Sequence, residues 1–402
     1  MTNDSQRDYR TFAFLNLGHA YDHFFMLIFP TVVLALQKEW QTSYGDVLTL
    51  GTVGFIAFGL GTLPAGWLGD RWNRRSMMTV FFLGLGIGAI LTGLAQNPWQ
   101  LACGLGLLGL FASIYHPVGI AMVVQTTTQT GKALGINGVF GNLGIALAGI
   151  TSAILAEHYG WRAAFFIPGV VALATGLAFA ALCGRARTVQ TDKLTARPAE
   201  AIGREAQLRI FIVIAIASLF GGLVFNALSV AMPKLFEERL LGLADSLSDV
   251  GVLVSVVFAV AALAQLVVGH FLDRYGVKAV FVIVAGLQAP LLILASGASG
   301  WELLFAATAL MLFVFGEIPV TDWLVGRYAS AAWRSRVYAL KYMVSLGVSA
   351  LAVPMVALLH ESSGGFTSLL LVLAGSMSIV TLAALCLPVA RTAIAATVAW
   401  KS

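Results

Sequence analysis

The chain has 402 residues, of which 59% are hydrophobic and only 11% charged, with a net charge of +5. Soluble domains carry roughly 25% charged residues, so a chain this apolar could not cover a water-facing surface, and its natural solvent is lipid. The positive charge does not point to nucleic acid, because the basic residues lie between apolar runs and so report topology.

Apolar runs of about 20 residues recur, the length an α-helix needs to cross a bilayer, whereas a β-barrel would show short alternating segments. Twelve spans are expected, over residues 11–37, 47–69, 76–96, 99–126, 131–156, 161–183, 208–235, 247–271, 278–298, 301–326, 335–359 and 366–388. The first run is too long for a signal-peptide core and no small-residue cleavage site follows it, so it is expected to remain as the first helix. Connections are short except for residues 184–207, a polar segment carrying Arg185, Arg187, Lys193, Arg197 and Arg204. This segment is expected to link an N-terminal six-helix half (1–183) to a C-terminal six-helix half (208–402). Cys103, Cys183 and Cys386 lie far apart inside apolar runs and suggest neither a disulfide framework nor a metal motif.

Counting Lys and Arg by side sets the orientation. With the N-terminus inside, nineteen fall in inner segments and four (Lys38, Arg162, Lys234, Arg239) in outer ones, while Lys341 lies within a helix. Both termini are therefore expected in the cytoplasm of a cell whose plasma (inner) membrane holds the protein. Trp40, Trp99, Trp161 and Trp301 are expected as lipid anchors at the outer interface, Trp72 and Trp333 at the inner one.

Two segments repeat. Gly66–Arg75 reads GWLGDRWNRR after the second span, and Gly269–Lys278 reads GHFLDRYGVK after the eighth, 203 residues later. Half-chain repeats are how many secondary transporters are built. The pattern resembles the signature of the major facilitator superfamily, GxxxDRxGR(R/K). The first copy departs from it at Asn73 and the second at Val277; Asn and Gly both tolerate positive φ, which would preserve a turn. The resemblance implies an all-α fold of two pseudo-two-fold-related six-helix halves. It also implies that Gly66, Asp70, Arg71, Arg74 and Arg75, with Gly269, Asp273 and Arg274, latch the cytoplasmic helix ends in the outward-open state. A narrower similarity, to the fosmidomycin-resistance branch, rests on the His19–Asp22 pair, on Tyr115-His116-Pro117 and on Gly141-Asn142-Leu143-Gly144. The span-five motif of drug/proton antiporters lacks its proline here, although Gly138, Gly141, Gly144 and Gly149 are present.

Ionisable groups inside spans are costly, and so mark function first. Spans three, six and twelve carry none, and span nine has only Gln288 as a large polar group. The polar residues concentrate elsewhere: His19, Asp22 and His23 in span one, His116 in four, Asn226 in seven, Glu317 and Asp322 in ten. The resemblance implies that these four spans line the central cavity. Asp22, His116, Asn142 and Glu317 each lie about 10 residues from an inner span end, roughly 15 Å deep and near the bilayer midplane. Asp22, His116 and Glu317 are therefore expected to face one water-filled cavity as the substrate and proton site.

His19, Asp22 and His23 share one helix face, a pattern suited to a proton relay between carboxylate and imidazole. Two His at i, i+4 beside a carboxylate can also serve as metal ligands, or the three can form a polar cluster that packs helices. The relay is preferred, and no metal or cofactor is expected. His116-Pro117 and Glu317-Ile318-Pro319 set ionisable groups beside prolines that can bend spans four and ten. Asp322 and Lys341 suit an ion pair between neighbouring helices, or Lys341 an anionic substrate; Asn142, Asn226 and Gln265 suit hydrogen bonds to substrate or between helices.

These features predict a monomeric secondary transporter of a small organic solute or drug, working by alternating access and coupled to protons. No GxxxxGK(S/T) loop for nucleotide occurs. Drug/proton antiport and uncoupled facilitated diffusion stay open as alternatives. A membrane-embedded enzyme or a sensor on the same fold is more remote, and no enzyme activity is expected.

Overall fold

The structure, a computed structural model, describes residues 3–125, 130–183, 203–329 and 334–388. It contains twelve helices long and apolar enough to cross a membrane, and no strand among the described residues. The N-terminal half holds α1 (Tyr9–Glu39), α2 (Tyr44–Arg71), α3 (Arg74–Gly93), α4 (Pro98–Gln125), α5 (Lys132–Tyr159) and α6 (Ala163–Cys183). The C-terminal half holds α7 (Arg204–Arg239), α8 (Leu247–Arg274), α9 (Val277–Gly297), α10 (Gly300–Tyr328), α11 (Leu340–Ser363) and α12 (Thr367–Leu385). α7 starts at Arg204, inside the segment read as linker. Arg185, Arg187, Lys193, Arg197 and Trp333 lie outside the described residues.

Local chemistry explains where helices begin. Asn97 accepts from Gln100 N at the start of α4, and Ser246 and Asp249 form a reciprocal capping box on α8. Asn73 has φ −154° and its side chain accepts from Arg75 N and Ser76 N. The first motif copy therefore carries Asn as the N-cap of α3, not for a positive-φ turn. Gly276, at the same place before α9, also has negative φ, −63°.

Proline acts unevenly. Around Pro117 the helix widens into a π turn over Tyr115–Gly119, and a second π turn occupies Ala217–Gly221 in α7. α10 stays α-helical through Pro319, with no π turn there. The π turn in α7 has no proline and was not foreseen.

The same pairings build both halves: α1 packs on α5, α2 on α4 and α3 on α6, while α7 packs on α11, α8 on α10 and α9 on α12. The halves meet along α5–α8 and α2–α11. Lipid supplies no hydrophobic force between helices, so close backbone approach must supply dispersion contacts. Both seams do so glycine against glycine. A Cβ on Gly251 would lie 2.7 Å from Gly149 O, and one on Gly59 would lie 3.0 Å from Gly347 Cα. Within the N-terminal half, a Cβ on Gly144 would stand 2.1 Å from Ala20 O. That contact gives Gly141-Asn142-Leu143-Gly144 its physical meaning, since it lets α5 close on α1.

Trp99 and Trp301 are well exposed, as lipid anchors should be, but Trp161 is only 2% exposed. Its ring meets Trp40 edge-on and carries the Arg162 guanidinium on its face, so it packs helix ends together. Cys183 is buried, while Cys103 and Cys386 face outward.

Gly144→Ala is expected to cost about 1–3 kcal/mol through overpacking, read as a lower thermal midpoint of the purified protein. Gly135→Ala, on the same helix with nothing within 4 Å of the added atom, should leave the midpoint unchanged.

Candidate functional site

Four of the residues singled out in the sequence converge in the N-terminal half. His19, Asp22 and His23 project from one face of α1, and the π turn of α4 brings His116 to them. The imidazole centroids of His19, His23 and His116 lie 5.1, 5.5 and 5.6 Å apart in pairs. His116 Nε2 is 3.1 Å from Asp22 Oδ2, with the Asp22 side chain fully buried and that of His116 7% exposed. The alignment falls short of a hydrogen bond: neither carboxylate oxygen of Asp22 and neither ring nitrogen of His116 has a hydrogen-bond partner among the described residues.

A residue that sequence reasoning passed over orients this cluster. Asn137 on α5 is buried, and its carbonyl accepts from His19 Nδ1 at 2.8 Å. Its side-chain Nδ2 donates to Asn16 Oδ1 (3.0 Å) and to the Tyr115 hydroxyl (2.8 Å), and Tyr115 donates to Leu15 O (2.8 Å). This network joins α1, α4 and α5. The Tyr115 ring also stacks on His19, 4.9 Å between centroids. The signal available in the sequence was an uncharged amide inside an apolar helix, which looks the same whether it binds or merely packs.

The C-terminal half carries a second cluster. Lys341 Nζ on α11 pairs with Asp322 Oδ1 on α10 and sits over the Tyr342 ring. Glu317 is buried and accepts from Gln288 Nε2 on α9 at 2.9 Å. Glu317 thus belongs with Gln288, and no described contact joins it to Asp22. Of the three residues expected on one cavity, Asp22 and His116 lie side by side, while α10 turns Glu317 toward Gln288 on α9. Gln288, on a span read as peripheral, is its partner.

Tyr342 links the two clusters. Its ring lies 5.6 Å from that of His116, and its hydroxyl is 3.5 Å from both carboxylate oxygens of Asp322. The amides bind helices together: Asn142 accepts from Gln265 across the α5–α8 seam (3.4 Å), and Asn226 donates to Gly222 O and Ser345 O.

The repeated motifs engage their own half. Asp70, 74% exposed, pairs with Arg74 at 2.7 Å, Arg71 lies over Trp67, and Arg75 donates to Cys183 O at 2.9 Å. Arg274 lies over Tyr275, and Asp273 is exposed. Gly66 would bring a Cβ 3.3 Å from Pro117, whereas Gly269 faces open space. At the opposite end the two halves are tied together. Lys38 pairs with Glu237 (2.8 Å), Gly45 N donates to Glu361 (2.7 Å) and Ser248 N donates to Glu157 (2.7 Å). His360 pairs with Glu238 and packs against Tyr44, and a cavity of about 460 Å³ lies among Lys38, Tyr44, Lys234 and Glu238.

Removing one partner of a buried ion pair leaves the other uncompensated. Lys341→Met or Asp322→Asn alone should therefore lower the thermal midpoint more than the two together. The double-mutant cycle should give a coupling of about 0.5–3 kcal/mol.

The sequence pattern of the Major Facilitator Superfamily matches residues 17–247, more than half of the chain. The chain is 29% identical to the gentisate transporter of Corynebacterium glutamicum over 168 residues, 40% of this chain and 37% of that protein. It is 33% identical to the multidrug resistance protein MdtG of Escherichia fergusonii over 152 residues, 37% of each chain. These alignments take in well under half of each relative's length. The crystal structure of a D-xylose–proton symporter, 15% identical, superposes with a TM-score of 0.74 over 93% of this chain and 96% of that one, a likeness of fold. The narrower similarity to the fosmidomycin-resistance branch rests on the sequence motifs alone. By its matched pattern, the chain is a multi-pass membrane protein that belongs to the Major Facilitator Superfamily.

Proposed function

We propose that this protein is a secondary transporter that carries a small organic solute across the inner membrane by alternating access. The observation that carries the reading is the meeting of two buried polar clusters at the boundary between halves, through His116 and Tyr342. A solute held there touches both halves, so their rocking would expose it to one side and then the other. Asp22 and His116 would supply hydrogen bonds from the N-terminal half, Lys341 and Asp322 a charged pair from the other.

Glu317 is the proton carrier in this reading. It is buried and its direct partner is the neutral Gln288, while Asp322 on the same helix holds the ammonium of Lys341. A solute that draws on Lys341 or Asp322 changes the charge that Glu317 feels, which couples solute binding to proton uptake or release. With both termini inside, as the basic-residue count favours, the tied end of the bundle would be the outer one and the conformation inward-facing. The motif copies, at the inner end, would latch when that end closes.

Purified protein in proteoliposomes with an internal pH dye tests the coupling, against a panel of aromatic acids (gentisate among them), sugars and cationic drugs. One compound should change the luminal pH, and Glu317→Gln should abolish that change while labelled solute still exchanges. Solute equilibration without proton movement in the unaltered protein would make it a facilitator instead. Proton release driven by a cationic drug would identify antiport.

The outer ties have their own test. Glu237→Gln combined with Glu361→Gln removes carboxylates that meet Lys38, Lys234 and Gly45. Spin labels at Thr42 and Ser362, in a cysteine-free background, should then report a new population at longer distance. An unchanged distribution would mean that these two carboxylates do not set the conformation.

A further inference from the structure

The sequence sets two imidazoles on α1; the fold adds a third from α4. We propose that His19, His23 and His116 form a binding site for a divalent transition-metal ion of the zinc type. This goes beyond the transport reading and does not require it.

Geometry carries the proposal. One ring nitrogen of each histidine lies within 4.8 Å of those of the other two. Tetrahedral coordination at roughly 2.0–2.1 Å sets ligand atoms about 3.4 Å apart, a contraction that small side-chain rotations supply. A carbonyl can only accept, so the bond to Asn137 O fixes the proton of His19 on Nδ1 and leaves the Nε2 lone pair available. An N–H to backbone carbonyl bond of this kind orients metal-bound histidines generally. Stacking on Tyr115 fixes the same ring, and Gly141 keeps the space beside Nε2 clear, since a Cβ there would stand 2.7 Å away.

Independent support comes from the groups left without partners. A polar cluster that serves only packing satisfies its own donors and acceptors. Here the fully buried Asp22 carboxylate and both ring nitrogens of His116 have no hydrogen-bond partner among the described residues, while Asp22 lies 3.1 Å from His116. A dication among the imidazoles would use a His116 nitrogen, and Asp22 would offset its charge. Three imidazoles with a carboxylate nearby suit zinc, cobalt, nickel or copper rather than magnesium or calcium, which take oxygen ligands.

The test uses tag-free protein in detergent, stripped with a chelator and titrated with Co²⁺. One equivalent should bind with the visible absorption of a low-coordinate cobalt centre, and Zn²⁺ should displace it. His19→Gln, His23→Gln and His116→Gln should each weaken binding at least about tenfold. His158→Gln and His270→Gln, both exposed and outside the cluster, should not. Should those variants fail to fold, X-ray absorption on the zinc-loaded unaltered protein decides: three imidazole ligands support the site, none or one overturns it. Absence of saturable Co²⁺ binding, or equal binding by all the variants, also overturns it. The proteoliposome assay run in chelator keeps the two readings apart: proton movement without metal binding removes only this site, and metal binding without solute movement removes only the transport reading.

Discussion

Charge inside hydrocarbon has no water to turn to, and this constraint organises the polar interior of the bundle. Some buried ionisable groups meet a protein group that limits the cost: Lys341 takes Asp322 and Glu317 takes the amide of Gln288, while Asp22 lies beside His116 without a hydrogen bond. These pairings are made within halves, so either half can move without stranding a bare charge. What crosses the boundary near these clusters is softer: the Tyr342 ring against His116, and one long amide contact between Asn142 and Gln265. A bundle that locked its charges across the seam would gain rigidity and lose the alternation proposed here.

The seams obey a different rule. With no hydrophobic gain available between helices in lipid, contact quality depends on how closely backbones approach. Gly149 against Gly251 and Gly59 against Gly347 let the backbones of the two halves approach closely. The two seams are equivalent under the internal repeat, since α5 corresponds to α11 and α8 to α2, so one duplicated helix surface serves twice.

Much of this was legible in the sequence, for reasons that can be named. The twelve spans follow from hydrophobic runs bounded by charge, and their observed limits, such as Val277–Gly297 and Pro98–Gln125, lie within a few residues of the expected ones. The meeting of His19, Asp22 and His23 follows from helical spacing. What lay beyond reach was helix rotation. Glu317 and Asp22 sit at similar depth, yet depth does not say which neighbour a side chain faces, and Glu317 turned toward Gln288. Asn137 and Tyr342 were passed over because amides and phenols inside apolar helices are common and carry no spacing signature. Trp161 misled for the same reason, since composition cannot tell a lipid-facing ring from one packed between helix ends. Asn73 was read as a turn residue because Asn serves both turns and N-caps, and only the backbone angle separates the two.

The ties at the two ends show how little free energy need separate the states. Exposed ion pairs contribute about 0–1 kcal/mol each, and Lys38, 70% exposed, is such a partner for Glu237. A handful of these contacts at the α1-terminal end gives a bias of a few kcal/mol, the range in which a bound solute can shift a two-state equilibrium. At the other end Asp70, among the described residues, pairs with Arg74, one turn away and in contact with solvent. Closing that end would exchange one exposed pair for another at little net cost. The proposed alternation would need this near-balance, because a deep ionic lock at either end would hold the protein in one state whatever it carried.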